Sequence, residues 1–225
     1  MSRGLVLDQV GLTLHGRTLV APLSLAVPPG GVGVVMGDSG SGKSSLLAWL
    51  AGVLEPPLAG SGRISVDGQD LGALPAERRR LGLMLQDDVL FPHLNVRDNL
   101  LLALPRTPGQ SRAERRAAAD AALAQAELAG LGKRWPAELS GGQRQRVSLQ
   151  RTLLARPRAV LLDEPFSRLD AGLRARMREQ VWQALAERGL PALLVTHDAG
   201  DVPAGAQVVQ LGPLADAPPA APRAP

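Results

Sequence analysis

Gly37-Asp38-Ser39-Gly40-Ser41-Gly42-Lys43-Ser44 carries the spacing G-x-x-x-x-G-K-[ST]. An apolar run, Val32-Gly33-Val34-Val35-Met36, precedes it, and the helix-forming stretch Ser45-Leu46-Leu47-Ala48-Trp49-Leu50 follows. Strand, glycine-rich turn and helix in that order form the context in which this spacing binds phosphate. Glycines let the main chain curl close to an anion with no Cβ in the way. The N–H groups of the turn and the helix N-terminus then point at phosphate oxygens. In such a loop Lys43 bridges the β- and γ-phosphates of a nucleotide and the Ser44 hydroxyl ligates Mg²⁺. The plainer alternative is a flexible Gly/Ser loop that opens a helix. By itself the motif does not separate the many classes that share it.

The 225 residues suffice for one large domain or a domain with a subdomain. A chain that is 45% hydrophobic and 20% charged is globular in balance. Its net charge of +4 is modest, and lysine occurs only at Lys43 and Lys133. Ala, Gly, Pro and Arg are abundant throughout, so the arginines reflect general composition. Basic residues are not interleaved with aromatic ones, and no nucleic-acid partner is expected. The absence of cysteine excludes disulfides and thiolate metal sites and fits a reducing compartment. The N-terminus has no apolar core of a secretory signal. No run of about 18 apolar residues occurs, so any membrane link is expected to go through a partner.

Leu5 to Val10, Leu19 to Val27 and Arg63 to Gly68 read as strands, with turns at His15-Gly16 and Pro28-Pro29-Gly30-Gly31. Three strands before any long helix suggest a small antiparallel sheet laid against a parallel core. Leu81 to Leu85 is a short apolar run ending at Gln86. Ser111 to Leu128 is an alanine-rich helix with a capping box at Ser111 and Glu114, closed by Gly130. Arg144 to Ala155 and Leu169 to Arg188 are further helices; Ala159 to Leu162, Ala192 to Val195 and Gln207 to Leu211 are strands. Pro213 to Pro225 is Ala/Pro-rich and reads as disordered. Strands alternating with helices argue an α/β fold with a mostly parallel sheet, and the helices of about residues 87–152 read as an inserted helical subdomain.

Two further stretches carry chemistry. Ala159-Val160-Leu161-Leu162 delivers Asp163-Glu164 at a strand end. Alone, these read as two surface acids at a strand end. With the glycine-rich loop upstream, Asp163 holds Mg²⁺ through water and Glu164 polarises the water that attacks the γ-phosphate. Leu139-Ser140-Gly141-Gly142-Gln143 opens a helix, where Ser140 and the two glycines form either a second anion site or a plain N-cap.

The stretch Leu139 to Gln143 matches, residue for residue, the LSGGQ signature of ATP-binding cassette (ABC) proteins, and Arg144-Gln145-Arg146-Val147 also resembles that family. Gln86 stands where that family has its Q-loop glutamine. Ser167-Arg168-Leu169-Asp170 resembles the D-loop, and Thr196-His197-Asp198 resembles the strand end bearing the switch histidine. The resemblance spans about residues 4–212 and is nearest to ATP subunits of bacterial importers, especially the YnjD-type subunits. It implies a P-loop NTPase (RecA-like) core with a small antiparallel β subdomain and an inserted helical subdomain, and hydrolysis of ATP with Mg²⁺.

The same resemblance implies two copies joined head to tail. Each ATP would lie between Gly37 to Ser45 of one copy and Ser140, Gly141, Gly142 and Gln143 of the other, with Asp170 at the seam. Glu164 would be the base, His197 would contact the γ-phosphate, and Gln86 would sense Mg²⁺ and water. The loop of Asp87 to Asn99 would hold a membrane permease subunit. The chain would sit peripherally on the cytoplasmic face of the inner membrane, with an extracytoplasmic solute-binding protein as an indirect partner. Three positions depart from the family: His15-Gly16 stands where an aromatic residue usually stacks on adenine, Asp38 replaces the commoner proline, and Arg168 replaces alanine. A cassette acting on DNA or ribosomes, or a non-hydrolysing nucleotide-binding scaffold, is the alternative reading.

Overall fold

The computed structural model describes residues 3–212. In chain order the elements are β1 (Leu5–Leu14), β2 (Arg17–Val27), β3 (Val32–Met36), α1 (Lys43–Ala51), β4 (Leu58–Val66), β5 (Gln69–Asp70), α2 (Ala76–Arg79) and β6 (Leu81–Met84). There follow α3 (Val96–Ala103), α4 (Arg112–Gln125), α5 (Gly141–Leu154), β7 (Ala159–Asp163), α6 (Ala171–Glu187), β8 (Ala192–Thr196) and β9 (Gln207–Gln210).

Five parallel strands in the order β6-β7-β8-β3-β9 form one sheet, and β2-β1-β4-β5 form an antiparallel second. The continuous apolar runs of β3, β7 and β8 suit a sheet buried on both faces. Alternate side chains enter different cores: Val35, Leu161, Leu193 and Val195 meet α1 and the antiparallel sheet. Val34, Val160, Leu162 and Leu194 meet Leu149 and Leu153 of α5 and Met177, Val181 and Leu185 of α6. A third core gathers Val96 and Leu100 of α3, Ala119 and Leu123 of α4, and Val147 of α5. Helix α5 therefore packs on the sheet with one face and on α3 and α4 with the other. The first two cores each have one tryptophan packed against them. Trp49 of α1 closes on Gly60, where a Cβ would stand 2.1 Å from the indole. Trp182 of α6 meets Phe166 edge-on at 5.5 Å, and Trp135 lies half exposed beside the helical layer.

Several element limits differ from the sequence reading. The antiparallel sheet has four strands, with β1 and β4 longer than the alternation suggested. In β1 the alternation breaks at Gln9, whose φ of 51° accompanies a register shift between Leu7 and Val10. This is a β-bulge, and it resets the inward phase to Val10 and Leu12. Helix α4 has the expected capping box, with Ser111 Oγ accepting from the Glu114 N–H and Glu114 Oε2 from the Ser111 N–H. It ends at Gln125, however, and not at Gly130. The Leu128 N–H donates to the Leu123 carbonyl and the Glu127 N–H to the Ala124 carbonyl, so Glu127, at φ 56°, takes the left-handed place usually given to glycine. The stretch Pro213 to Pro225 lies outside the described residues.

Arg79 ties the C-terminus of α1 to the turn that follows β5. It donates from Nη1 to the carbonyls of Trp49 and Leu50, from Nε to Leu74 and from Nη2 to Gly72. Burial lowers its pKa, with Asp70 opposing. Replacing Arg79 by alanine strands these partly buried carbonyls and is expected to cost about 2–3 kcal/mol in urea unfolding. Arg79→Lys should recover only part of that, because an ammonium cannot reproduce the fork.

Candidate nucleotide site

Strands β3, β7 and β8 end level with one another. Met36 pairs with Thr196, and Asp163 with Val195. The turn after β3, the acids after β7 and the histidine after β8 therefore meet at one edge of the sheet. Gly42, at φ 87°, brings the turn into α1. A Cβ there would also strike Val20 and Leu19 of β2, so the β1–β2 hairpin lies against the loop. His15 stands exposed at the tip of that hairpin, and Asp38, Ser39 and Gly40 lie at the surface of the loop.

Lys43 is buried, and its Nζ donates to the carbonyls of Gly37 and Asp38, both at 2.7 Å. Ser41 Oγ is buried without a hydrogen-bond partner and would be 2.7 Å from a Cβ on Gly37. A cradle of donors with a buried ammonium fits a phosphate, which would supply acceptors for both groups. Behind it lies Asp163, 2% exposed. Burial pushes its carboxyl pKa up and the charge of Glu164 adds to this, while the Ser44 hydroxyl and Lys43 oppose. Ser44 and Asp163 form a hard-oxygen pair. Among the described residues no cluster of three acids or histidines could hold a metal unaided. That donor set suits a Mg²⁺ shared with phosphate oxygens.

Glu164 is the most constrained residue of the site. Its φ is 45° and it is 8% exposed. Its N–H donates to the Val195 carbonyl, and its carbonyl accepts from Ser167 Oγ at 3.0 Å and Gln145 Nε2 at 3.2 Å. Its two carboxylate oxygens face His197 Nδ1 at 2.8 Å and Gln86 Nε2 at 3.4 Å. The histidine turn is held by Asp201, whose carboxylate receives Arg174 at 2.8 and 2.6 Å and Thr196 Oγ1 at 3.3 Å.

The structure thus brings together Lys43, Ser44, Asp163, Glu164, His197 and Gln86. The stretch Ser140 to Gln143 lies elsewhere, at the start of α5. Ser140 and Gln143 close a capping box there, and Gly142 packs against Arg168 and Leu169. Asp170 caps α6, accepting from the Leu173 N–H at 3.0 Å. Sequence reasoning missed Gln145, which is 2% exposed and joins the Glu164 carbonyl to the Arg168 N–H. A signal existed: Gln145 is in helical phase with Leu149 and Thr152 on a buried face.

A family model described as ABC transporter matches residues 20–167. The uncharacterized ABC transporter ATP-binding protein YnjD of Escherichia coli is 42% identical over 208 residues, 92% of this chain and 94% of YnjD. The Fe(3+) ions import ATP-binding protein FbpC of Pseudomonas fluorescens is 45% identical over 88% of this chain and 55% of its own length. The putative 2-aminoethylphosphonate import ATP-binding protein PhnT of Salmonella typhimurium is 41% identical over 87% and 52%. The chain thus spans about half the length of these two import relatives. Among solved structures, the dimeric post-hydrolysis cassette MJ0796 bound to ADP and Pi superposes with a TM-score of 0.79, at 27% identity over 92% of this chain and 94% of that one. Strand-end geometry, family match and near full-length relative agree: the chain belongs to the ABC transporter family and is one of its ATP-binding, ATP-hydrolysing cassettes.

Proposed function

We propose that this chain is the ATP-driven subunit of a bacterial importer and acts on a partner pore from the cytoplasmic face of the inner membrane. The observation that carries the reading is the meeting of Lys43, Asp163, Glu164, His197 and Gln86 at one sheet edge. It is joined by the similarity to import subunits. No helix among the described residues is long and apolar enough to cross a membrane, so the pore belongs to permease subunits. The exposed Val89 and Phe91, in the segment after Gln86, offer them an apolar contact. A solute-binding protein outside the membrane delivers the cargo, and no nucleic-acid partner is involved.

In this reading the N–H groups of residues 37–45 hold the phosphates, and Lys43 exchanges two carbonyls for phosphate oxygens. Ser44, Gln86 and, through water, Asp163 would hold Mg²⁺, which would supply positive charge against the phosphates. Glu164 takes the proton of the attacking water. The contacts on its main chain keep that carboxylate aimed without any rearrangement at the moment of reaction. His197, whose side chain is 55% exposed, is free to reach the γ-phosphate. Ser140, Gly141, Gly142 and Gln143 close on the ATP of a second copy, beside Asp170, so ATP shifts the population toward a closed head-to-tail dimer. His15 stacks on the adenine.

Lys43→Ala should weaken ATP binding by about 1.5–3 kcal/mol in a titration with labelled nucleotide; equal affinity would remove Lys43 from the phosphate site. Glu164→Gln should bind ATP normally and turn over negligibly, because the amide cannot accept the proton. With ATP it should run as a dimer in size-exclusion chromatography. Phosphate release near the wild-type rate would overturn this assignment and with it the proposed mechanism. His15→Tyr should tighten ATP binding, since base stacking contributes about 1–3 kcal/mol and imidazole offers less area than phenol. Identical affinity in His15→Tyr, His15→Ala and wild type would leave His15 with no part in base binding.

A further inference from the structure

The segment after Gln86 belongs to no strand or helix until Val96, yet three arginines grip it. Arg168 Nη2 lies 2.6 Å from Asp87 Oδ1, and its Nη1 lies 3.6 Å from Asp88 Oδ2. Arg144, in the first turn of α5, reaches the same Asp88 oxygen at 2.8 Å. Arg151, two turns further along α5, donates to the Val89 carbonyl at 3.0 Å and stands 5.6 Å from the centre of the Phe91 ring. Between these grips Val89 has a φ of 37°, a region that β-branched residues rarely enter. The segment is held in this shape against its own preference.

Arg168 is fixed from the other side as well. Its N–H donates to Gln145 Oε1 at 3.3 Å, and Gln145 Nε2 donates to the Glu164 carbonyl. Its carbonyl would be 3.3 Å from a Cβ on Gly142. A closed path therefore runs from Glu164 through Gln145, Arg168 and Asp87 to Gln86, and back to Glu164 across 3.4 Å. Gln86 is exposed, and that 3.4 Å contact is too long to locate it. Its place is set by the segment that follows.

We propose that Arg168 is a positioning residue for hydrolysis: through Asp87 and Asp88 it anchors the segment after Gln86 to the start of α5, and so sets how Gln86 meets Glu164. This rests on the reading of Glu164 and Gln86 as members of the hydrolytic site. Asp87 and Arg168 have side chains 84% and 37% exposed, so salt reaches the clamp and weakens it.

The test uses the full chain with Mg²⁺ and ATP at low and high ionic strength. Arg168→Ala should lower kcat on the order of fivefold, as for loss of a partly screened ion-pair network, with little change in KM or in the melting temperature. Arg168→Lys should retain most of the rate. Asp87→Asn, which removes the 2.6 Å partner of Arg168 and leaves the Arg144 pair intact, should slow the wild type but add little in the Arg168→Ala background. Salt should slow the wild type toward the variant and move the variant less, since only the Arg144–Asp88 pair remains there. Without nucleotide, hydrogen exchange across residues 86–92 should quicken in Arg168→Ala at low salt. Wild-type kcat and exchange in Arg168→Ala, or independent multiplication of the two substitutions, would overturn the proposal. A wild type that hydrolyses no ATP would overturn the hydrolytic reading instead, and exchange would then judge the anchoring alone: unchanged exchange removes it as well.

Discussion

In-register pairing of three parallel strands is the constraint on which the site depends. Met36 lies level with Thr196, and Asp163 with Val195, because β3, β7 and β8 bury alternate residues on opposite faces. A slip of one residue would send Val34 and Val35, Leu161 and Leu162, and Leu193 and Leu194 to the wrong cores at once. Apolar packing spread over two faces therefore fixes the ends of the strands, and with them the positions of Lys43, Glu164 and His197.

Charge at that edge is balanced before any ligand arrives. Lys43 rests on two carbonyls, Asp163 has its pKa raised by burial, and Asp201 is forked by Arg174. Lys43 and Asp201 thus have partners that geometry enforces, and the buried Asp163 carboxyl has the Ser44 hydroxyl beside it. Binding at the loop is thus an exchange of partners, and its strength is a difference between two sets of contacts. Arg174 and Asp201 also keep the turn carrying His197 in place.

The parts legible in the sequence were those encoded locally. The glycine-rich loop, the apolar strand ending in Asp163-Glu164 and the capping box at Ser111 each put their physics within a few residues. The parts that were not legible depend on neighbours distant in the chain. Nothing near Arg79 announces that it caps α1, because its acceptors lie on Gly72, Leu74 and the last turn of that helix. Arg168 stood out only as a bulky departure, since Asp87 lies 81 residues earlier. The bulge at Gln9 was hidden because alternation resumes after it. Gly130 misled because a glycine near a helix end usually marks the cap, whereas here Glu127 occupies the left-handed position and the buried Leu128 secures it.

The distribution of indoles gives the molecule an optical consequence. With no tyrosine and only three tryptophans, near-ultraviolet emission comes from three places. Trp49 rides on the helix that follows the phosphate loop, Trp135 stands beside the helical layer, and Trp182 touches Phe166 next to the turn of Ser167 to Asp170. Chains retaining a single indole would resolve these regions separately. Light from position 49 would follow nucleotide entry, that from 135 the helical layer, and that from 182 the turn beside Glu164, with no attached dye.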